Sequence, residues 1–412
     1  MTFHHETLPN GLQVILERNE RARSVAAGFF VRTGSRDEPP ELAGVSHFLE
    51  HMVFKGTPRR DALAVNRDFD RIGARHNAQT SEEDTIYHVS CLPEYLPAAL
   101  DVLADILRPR LDAEDFETEK QVIIEEIKMY DDNPMMVAYE AAKAAHFSGH
   151  PLGGSVLGTE ETISALTVEQ MRDYFTRHYG PPNVVLAVAG NAEWGLVLDL
   201  ASRLCGSWTG SGVPRALPAH RGVGQPRAVL REEDHQETIV AVADAPGLES
   251  PDRHAASLVA TMIGDHTGSR LYWELIDPGL ADGADLSFQD YQSAGAFYTF
   301  LSCDPPSAQA NLDRIAEVYR DFSDDGPTDD ELERAKNKVL SRLVLRGERP
   351  MGRLMPLGSD WTYRRAHIPV EKEIAAYSAV TLDDARRVLE AYPLLPMTVV
   401  AVGPNVEVRP PV

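Results

Sequence analysis

The feature that most constrains this fold is an internal repeat. The first half of the chain closes on Glu161-Thr-Ile-Ser-Ala-Leu-Thr-Val-Glu-Gln-Met171, a helix, and the apolar run Asn183-Val-Val-Leu-Ala-Val-Ala-Gly-Asn191. The second half closes on Glu373-Ile-Ala-Ala-Tyr-Ser-Ala-Val-Thr-Leu-Asp-Asp-Ala385, a helix, and Met397-Thr-Val-Val-Ala-Val-Gly-Pro-Asn405. Thr167 and Thr381 read as helix N-caps, whose hydroxyls accept from the free N–H groups of the first turn. The caps lie 214 residues apart and the strand-end glycines Gly190 and Gly403 lie 213 apart. A cap and a strand end matched at nearly one offset imply duplication of one folding unit.

That unit is expected to be α+β, a mainly antiparallel sheet packed with helices. Runs such as Leu12–Leu16, Val25–Val31 and Val184–Ala189 read as strands between helices, and Thr85–Cys91 and Gly295–Cys303 as hairpin arms. The densest Gly/Pro/Ser stretch, running from Gly206 to Pro226, falls at the midpoint of the 412 residues. The expected organisation is a domain over residues 1–207, a linker over 208–226 and a duplicate over 227–412.

Charge and cysteine content exclude several classes of function. With 40 Lys+Arg against 63 Asp+Glu the net charge is −23. Such a balance disfavours nucleic-acid or anionic-membrane partners, because phosphate binding needs a basic footprint. Cys91, Cys205 and Cys303, odd in number and far apart, exclude a disulfide framework and a thiolate metal site of the usual spacing. Residues 1–11 show no basic-then-apolar leader, and no uncharged apolar run approaches the roughly 18 residues of a spanning helix. A cytoplasmic protein is expected.

Chemistry concentrates in Gly44-Val-Ser-His-Phe-Leu-Glu-His-Met-Val-Phe-Lys-Gly-Thr57. Val45, Phe48, Leu49, Met52 and Val53 recur at helical spacing. With each residue advancing about 100°, His51 lies near +40° and Glu50 near −60° from His47. Two imidazoles one turn apart can chelate one metal, and the carboxylate beside them can take a proton from an attacking water. A third ligand is sought in Phe116-Glu-Thr-Glu-Lys-Gln-Val-Ile-Ile-Glu-Glu-Ile-Lys-Met-Tyr130. Glu126 has Val122, Ile123, Met129 and Tyr130 one turn away, an apolar stripe. Glu125 has Gln121 and Lys128 among its neighbours and sits nearer the solvated side. A carboxylate on a core-facing stripe costs several kcal/mol unless it is paired or bound to a cation. Glu119, seven residues before Glu126, lies on the same face and can accept from an imidazole N–H.

His-x-x-Glu-His, with a glutamate 75 residues beyond His51, resembles the inverted zinc motif of the pitrilysin/insulinase peptidases. Within that family the chain is most similar to the mitochondrial-processing-peptidase branch and its bacterial relatives. The likeness extends through Gly73-Ala-Arg-His-Asn-Ala-Gln-Thr80 and His150-Pro-Leu-Gly-Gly-Ser-Val-Leu-Gly158, dense in the first half and weak in the second. The resemblance implies Zn2+ on His47, His51 and Glu126, with Glu50 as general base and Glu119 in support. It implies two duplicated units forming half of a clam-shell chamber. It also implies an edge strand around Asn77 and Ala78, where an extended peptide substrate adds by β-augmentation.

The second half departs from the family. Relatives carry an Arg and a nearby Tyr that grip the substrate, whereas here the stretch reads Ile276-Asp-Pro-Gly-Leu-Ala-Asp282. No second His-x-x-Glu-His occurs, and Asp265-His266 reads as structural, so one metal site per chain is expected. His4, His5, His76, His88, His146 and His150 show no ligand spacing with a carboxylate and read as surface or core residues. The expected activity is zinc metalloendopeptidase. The alternative is a non-catalytic or weakly active partner subunit of a two-chain peptidase. The missing Arg and Tyr imply a homodimer, or a heterodimer with a related chain that supplies them.

Overall fold

The structure, a computed structural model, describes every residue except Val223, Gln225, Val406 and Val412. Two of these belong to the expected linker, so that part of it lies outside the described residues. The chain folds into two compact units. One comprises Met1–Ile127, Gly154–Ala216 and Val344–Pro369; the other comprises Lys128–Gly153, Leu217–Leu343 and Val370–Val412.

The first unit holds β1 (Thr2–Thr7), β2 (Gln13–Arg18), β3 (Val25–Val31), β4 (Arg75–Thr80), β5 (Thr85–Cys91) and β6 (Val184–Gly190). Their order in the sheet is β1-β2-β6-β3-β5-β4. The second holds β7 (Pro226–Leu230), β8 (Glu237–Asp244), β9 (Gly283–Tyr291), β10 (Ala294–Cys303) and β11 (Thr398–Gly403), in the order β7-β11-β8-β10-β9. Without β1, the two orders match strand for strand. Each sheet is antiparallel except at one equivalent place, β2 with β6 and β11 with β7. The duplication read from the sequence is therefore one of topology.

Between the strands, most helices follow the same order in both halves of the chain. The first half holds α1 (Val45–Val53), α2 (Ala62–Arg71), α3 (Leu96–Ile106), α4 (Ala113–Asp131), α5 (Pro134–His146), α6 (Glu160–Ala165), α7 (Val168–His178) and α8 (Trp194–Cys205). In the second half come α9 (Arg253–Gly264), α10 (Ala308–Asp325), α11 (Asp329–Gly347), α12 (Pro350–Arg364), α13 (Val370–Ala379) and α14 (Leu382–Ala391). Thr167 starts α7 and Thr381 starts α14 with the same reciprocal device. Each hydroxyl accepts from the backbone N–H three residues on, and Gln170 or Asp384 accepts from the cap's own N–H.

The units are discontinuous in sequence, unlike the continuous halves expected from the linker. α12, from the second half, lays Leu354, Leu357 and Trp361 on Ile15, Phe30, Val185 and Ala187 of the first sheet. α5, from the first half, sets Ala138 and Ala142 against Val240, Val242 and Val400 of the second. The physical reason is that β3 and β6 are apolar and buried at every position, so their sheet needs cover on both faces. An apolar helix face meets that need without specifying which sheet it serves. A buried ion pair adds the specificity to α12: Arg353 donates to both oxygens of Glu17 at 2.7 and 2.6 Å, and His367 Nε2 lies 2.9 Å from Glu17. Among the described residues no helix is long and apolar enough to cross a membrane.

Candidate metal centre

α1 is fixed before its imidazoles do anything. Gly44 begins it at φ +91°, and a Cβ there would lie 2.4 Å from the Leu157 carbonyl oxygen, so no side chain fits. The Glu38 carboxylate caps the helix by accepting from the Gly44 and Ser46 N–H groups, both at 2.7 Å. Burial pushes Glu38 up to about 8 in spite of those two donors. The Ser46 hydroxyl meets Tyr174 OH at 2.8 Å, which in turn meets Thr33 at 2.7 Å. On the opposite side Phe48 stacks on Phe116 of α4, ring centroids 4.6 Å apart. That stack sets the register of the two helices: three residues past Phe48 is His51, and three past Phe116 is Glu119.

His51 Nδ1 and Glu119 Oε1 meet at 2.9 Å, and Lys55 Nζ lies 2.5 Å from the other Glu119 oxygen. With Nδ1–H given to Glu119, the lone pair of His51 Nε2 faces Glu126, 3.7 Å away. His47 Nε2 lies 3.9 Å from the same Glu126 oxygen. Burial, with His51 beside it, pushes His47 down to about 3, so its contact with Glu126 is not an ion pair. Burial acts to lower His51 as well, but the Glu119 hydrogen bond and the surrounding carboxylates outweigh it and raise the pKa. Glu119 is held below its ordinary range, because His51 and Lys55 outweigh its burial.

One ligand atom each from His47, His51 and Glu126 lies within 4.8 Å of the other two. Two neutral-capable imidazoles and a carboxylate, with one imidazole oriented by a second carboxylate, fit a catalytic zinc set. Glu50 projects beside them. Thr80, the last residue of β4, donates to its Oε2 at 2.6 Å, leaving Oε1 to other partners. Burial raises the Glu50 pKa, opposed by the Thr80 hydrogen bond.

The structure thus brings His47, Glu50, His51, Glu119 and Glu126 together. Asn77 and Ala78 lie on β4, which among the described residues pairs only with β5 and is an open edge. Asn77 is exposed and Ala78 half-buried. The apolar stripe expected beside Glu126 is not the one that α4 buries. Val122, Met129 and Tyr130 are exposed, and the buried stripe of α4 is Phe116, Ile123, Ile124 and Ile127. Glu126 borders that stripe through Ile123 and Ile127, while Glu125 is exposed. Sequence reasoning also missed Thr80, Lys55 and Glu38; only Lys55, one turn past His51, carries a readable spacing. Asp265 is structural, gripped by Lys338 and Arg342. Two residues of the second half with the donor chemistry of the missing Arg and Tyr are committed elsewhere. Arg270 is paired with Glu331 at 2.7 Å, and Tyr291 is buried with its hydroxyl on Gln289 at 2.6 Å.

Comparison with known proteins places these observations in one family. The profile described as "Insulinase (Peptidase family M16)" matches residues 13–160, and the one described as "Peptidase M16 inactive domain" matches 165–339. A Bacillus subtilis (strain 168) protein named as an uncharacterized zinc protease is 32% identical over 92% of this chain and 92% of its own. A Mycobacterium tuberculosis (strain H37Rv) protein of the same description is 33% identical, over 93% of this chain and 89% of its own. Among solved structures, a protease from Helicobacter pylori superposes with a TM-score of 0.91 at 22% identity, covering 98% of this chain and 99% of that one.

Proposed function

The chain belongs to the insulinase family of peptidases, M16, and from that premise we propose that it is a zinc metalloendopeptidase acting on peptides or unfolded segments. The observation that carries the reading is the convergence of His47, His51 and Glu126 beside a carboxylate held by the end of an open edge strand. A bound divalent ion supplies Lewis acidity to the scissile carbonyl and makes water more acidic.

The protein's own residues do the rest. Glu50, its carboxylate turned by Thr80 and its pKa raised by burial, takes a proton from the attacking water at Oε1 and delivers it to the leaving amine. Glu119 holds the His51 tautomer, and Lys55 holds Glu119. A substrate in extended conformation adds to β4 alongside Asn77 and Ala78, where backbone hydrogen bonds align it regardless of side-chain sequence. Cytoplasmic residence, in keeping with three free and buried cysteines, belongs to the same reading.

The second reading, a non-catalytic or weakly active partner subunit, is favoured by the stretch Ile276–Asp282, which offers no Arg or Tyr side chain for the substrate. On either reading we place the chain in a homodimer or in a heterodimer with a related chain that carries those donors. Metal analysis beside a quenched-fluorescent peptide assay, with and without chelator, separates the two. The peptidase reading expects zinc-dependent cleavage at internal bonds by the chain alone or as its dimer. Bound zinc without cleavage would leave the partner-subunit reading.

A further inference from the structure

The second unit contains a cluster of ligand-type side chains drawn from three separate places in the chain. His146 ends α5, Asp244 ends β8, and His220 lies in the segment between them. One donor atom from each lies within 4.8 Å of the other two. Their separations of 74 and 24 residues give no local motif, so no spacing in the sequence picks out His146 as a ligand.

His146 is 2% exposed, and its Nδ1 lies 3.3 Å from the Thr398 hydroxyl on β11. Its Nε2 comes within 3.1 Å of Asp244 Oδ1, while among the described residues the buried His220 Nε2 has no hydrogen-bond partner. A buried nitrogen left in that state is unusual and costly. Two donors on one tetrahedral zinc stand about 3.3 Å apart, so the close approach to Asp244 is the spacing a shared ion produces. The Gly222 N–H orients the Asp244 carboxylate at 2.9 Å, and a Cβ on Gly222 would fall 2.2 Å from the His146 ring. Neighbouring His150 is excluded, since its Nε2 meets the Pro218 carbonyl and its Nδ1 accepts from the Leu152 N–H. A cleft of about 500 Å³, lined by His146, His220, Asp244 and Tyr392 among others, opens beside the cluster.

We propose that His146, His220 and Asp244 bind a second divalent transition-metal ion of the zinc class, its remaining position facing the cleft. Two imidazoles and one carboxylate suit zinc, cobalt or nickel, whereas calcium and magnesium demand oxygen ligands. The ion ties α5 to the sheet it covers and to the segment carrying His220. The site is independent of the peptidase reading, and its test is built to stay so.

Zinc content of the full-length protein is measured after equilibration with Zn2+ and dialysis. The wild type is expected to hold two ions per chain, His47→Ala/His51→Ala one, and His47→Ala/His51→Ala/His220→Ala none. The His47→Ala/His51→Ala protein loaded with Co2+ is expected to show the intense visible bands of a tetrahedral site, lost in the added Asp244→Asn variant. That spectrum decides the matter even if the His220 variant does not fold. No bound metal in His47→Ala/His51→Ala, or one ion still bound after His220 is also removed, would overturn the proposal.

Discussion

In the first unit α1 and α4 bring two imidazoles and three carboxylates together, whereas α9 and α11 of the second, at the same places in the chain order, bring no such set together. α9 has no carboxylate, and its one imidazole, His254, lies 3.2 Å from Glu373. α11 has 19 residues, as α4 has, and counted from their first residues Ala335 stands where α4 has Glu119 and Arg342 where it has Glu126. Arg342 and Lys338 grip Asp265, just past α9. A carboxylate between two helices needs a cation in either unit. In the second, arginine and lysine are that cation and leave no open position. In the first, the donor set suits an ion that keeps one.

The contrast is broken most severely at Glu50. Glu50→Gln is expected to lower kcat/KM by about 10²–10⁴-fold with metal content unchanged. Near wild-type turnover, read in a peptide assay beside metal analysis, would remove the base from the first unit and with it the functional difference.

Next in size is the anchor of α12, a buried ion pair where α5 on the other sheet presents Ala138 and Ala142. Glu17→Gln strands Arg353 and is expected to destabilise the protein by about 3 kcal/mol at neutral pH. Although burial works to raise it, hydrogen bonds from Arg353 and His367 hold Glu17 at about 2, against an ordinary 4.5. A lowered folded-state pKa gives stability that is complete above about 4.5 and is lost as pH falls toward about 2. Chemical denaturation should therefore show the gap between wild type and variant closing in acid.

Metal affinity sharpens the comparison further. Glu119→Gln should weaken zinc binding at the first site about 10–100-fold by releasing the His51 tautomer. Glu125→Gln should leave it unchanged, and competition with a chromophoric chelator distinguishes them. Smallest of all, Arg342→Ala should cost less than about 1 kcal/mol and leave peptidase activity intact, because its side chain is largely exposed. A thermal melt with the peptide assay checks both.

Much of this was legible in the chain. Thr167, Thr381 and the glycine-terminated runs exposed the duplication, and His-x-x-Glu-His announced a candidate pair of metal ligands because both imidazoles share one helix face. Of the apolar neighbours that point to Glu126, only Ile123 is buried, because periodicity finds apolar residues on α4 without saying which of them meet a core. The exchange of α5 and α12 was illegible because an apolar face does not name the sheet it covers. The His146 cluster was illegible for a related reason, its members converging only through tertiary folding.

The most direct test is anomalous diffraction at the zinc absorption edge from crystals of the zinc-loaded protein. The account predicts a peak within coordination distance of His47 Nε2, His51 Nε2 and the Glu126 carboxylate, and none between α9 and α11. Density with no anomalous signal among His47, His51 and Glu126, or a zinc ion displacing Arg342 from Asp265, would contradict it.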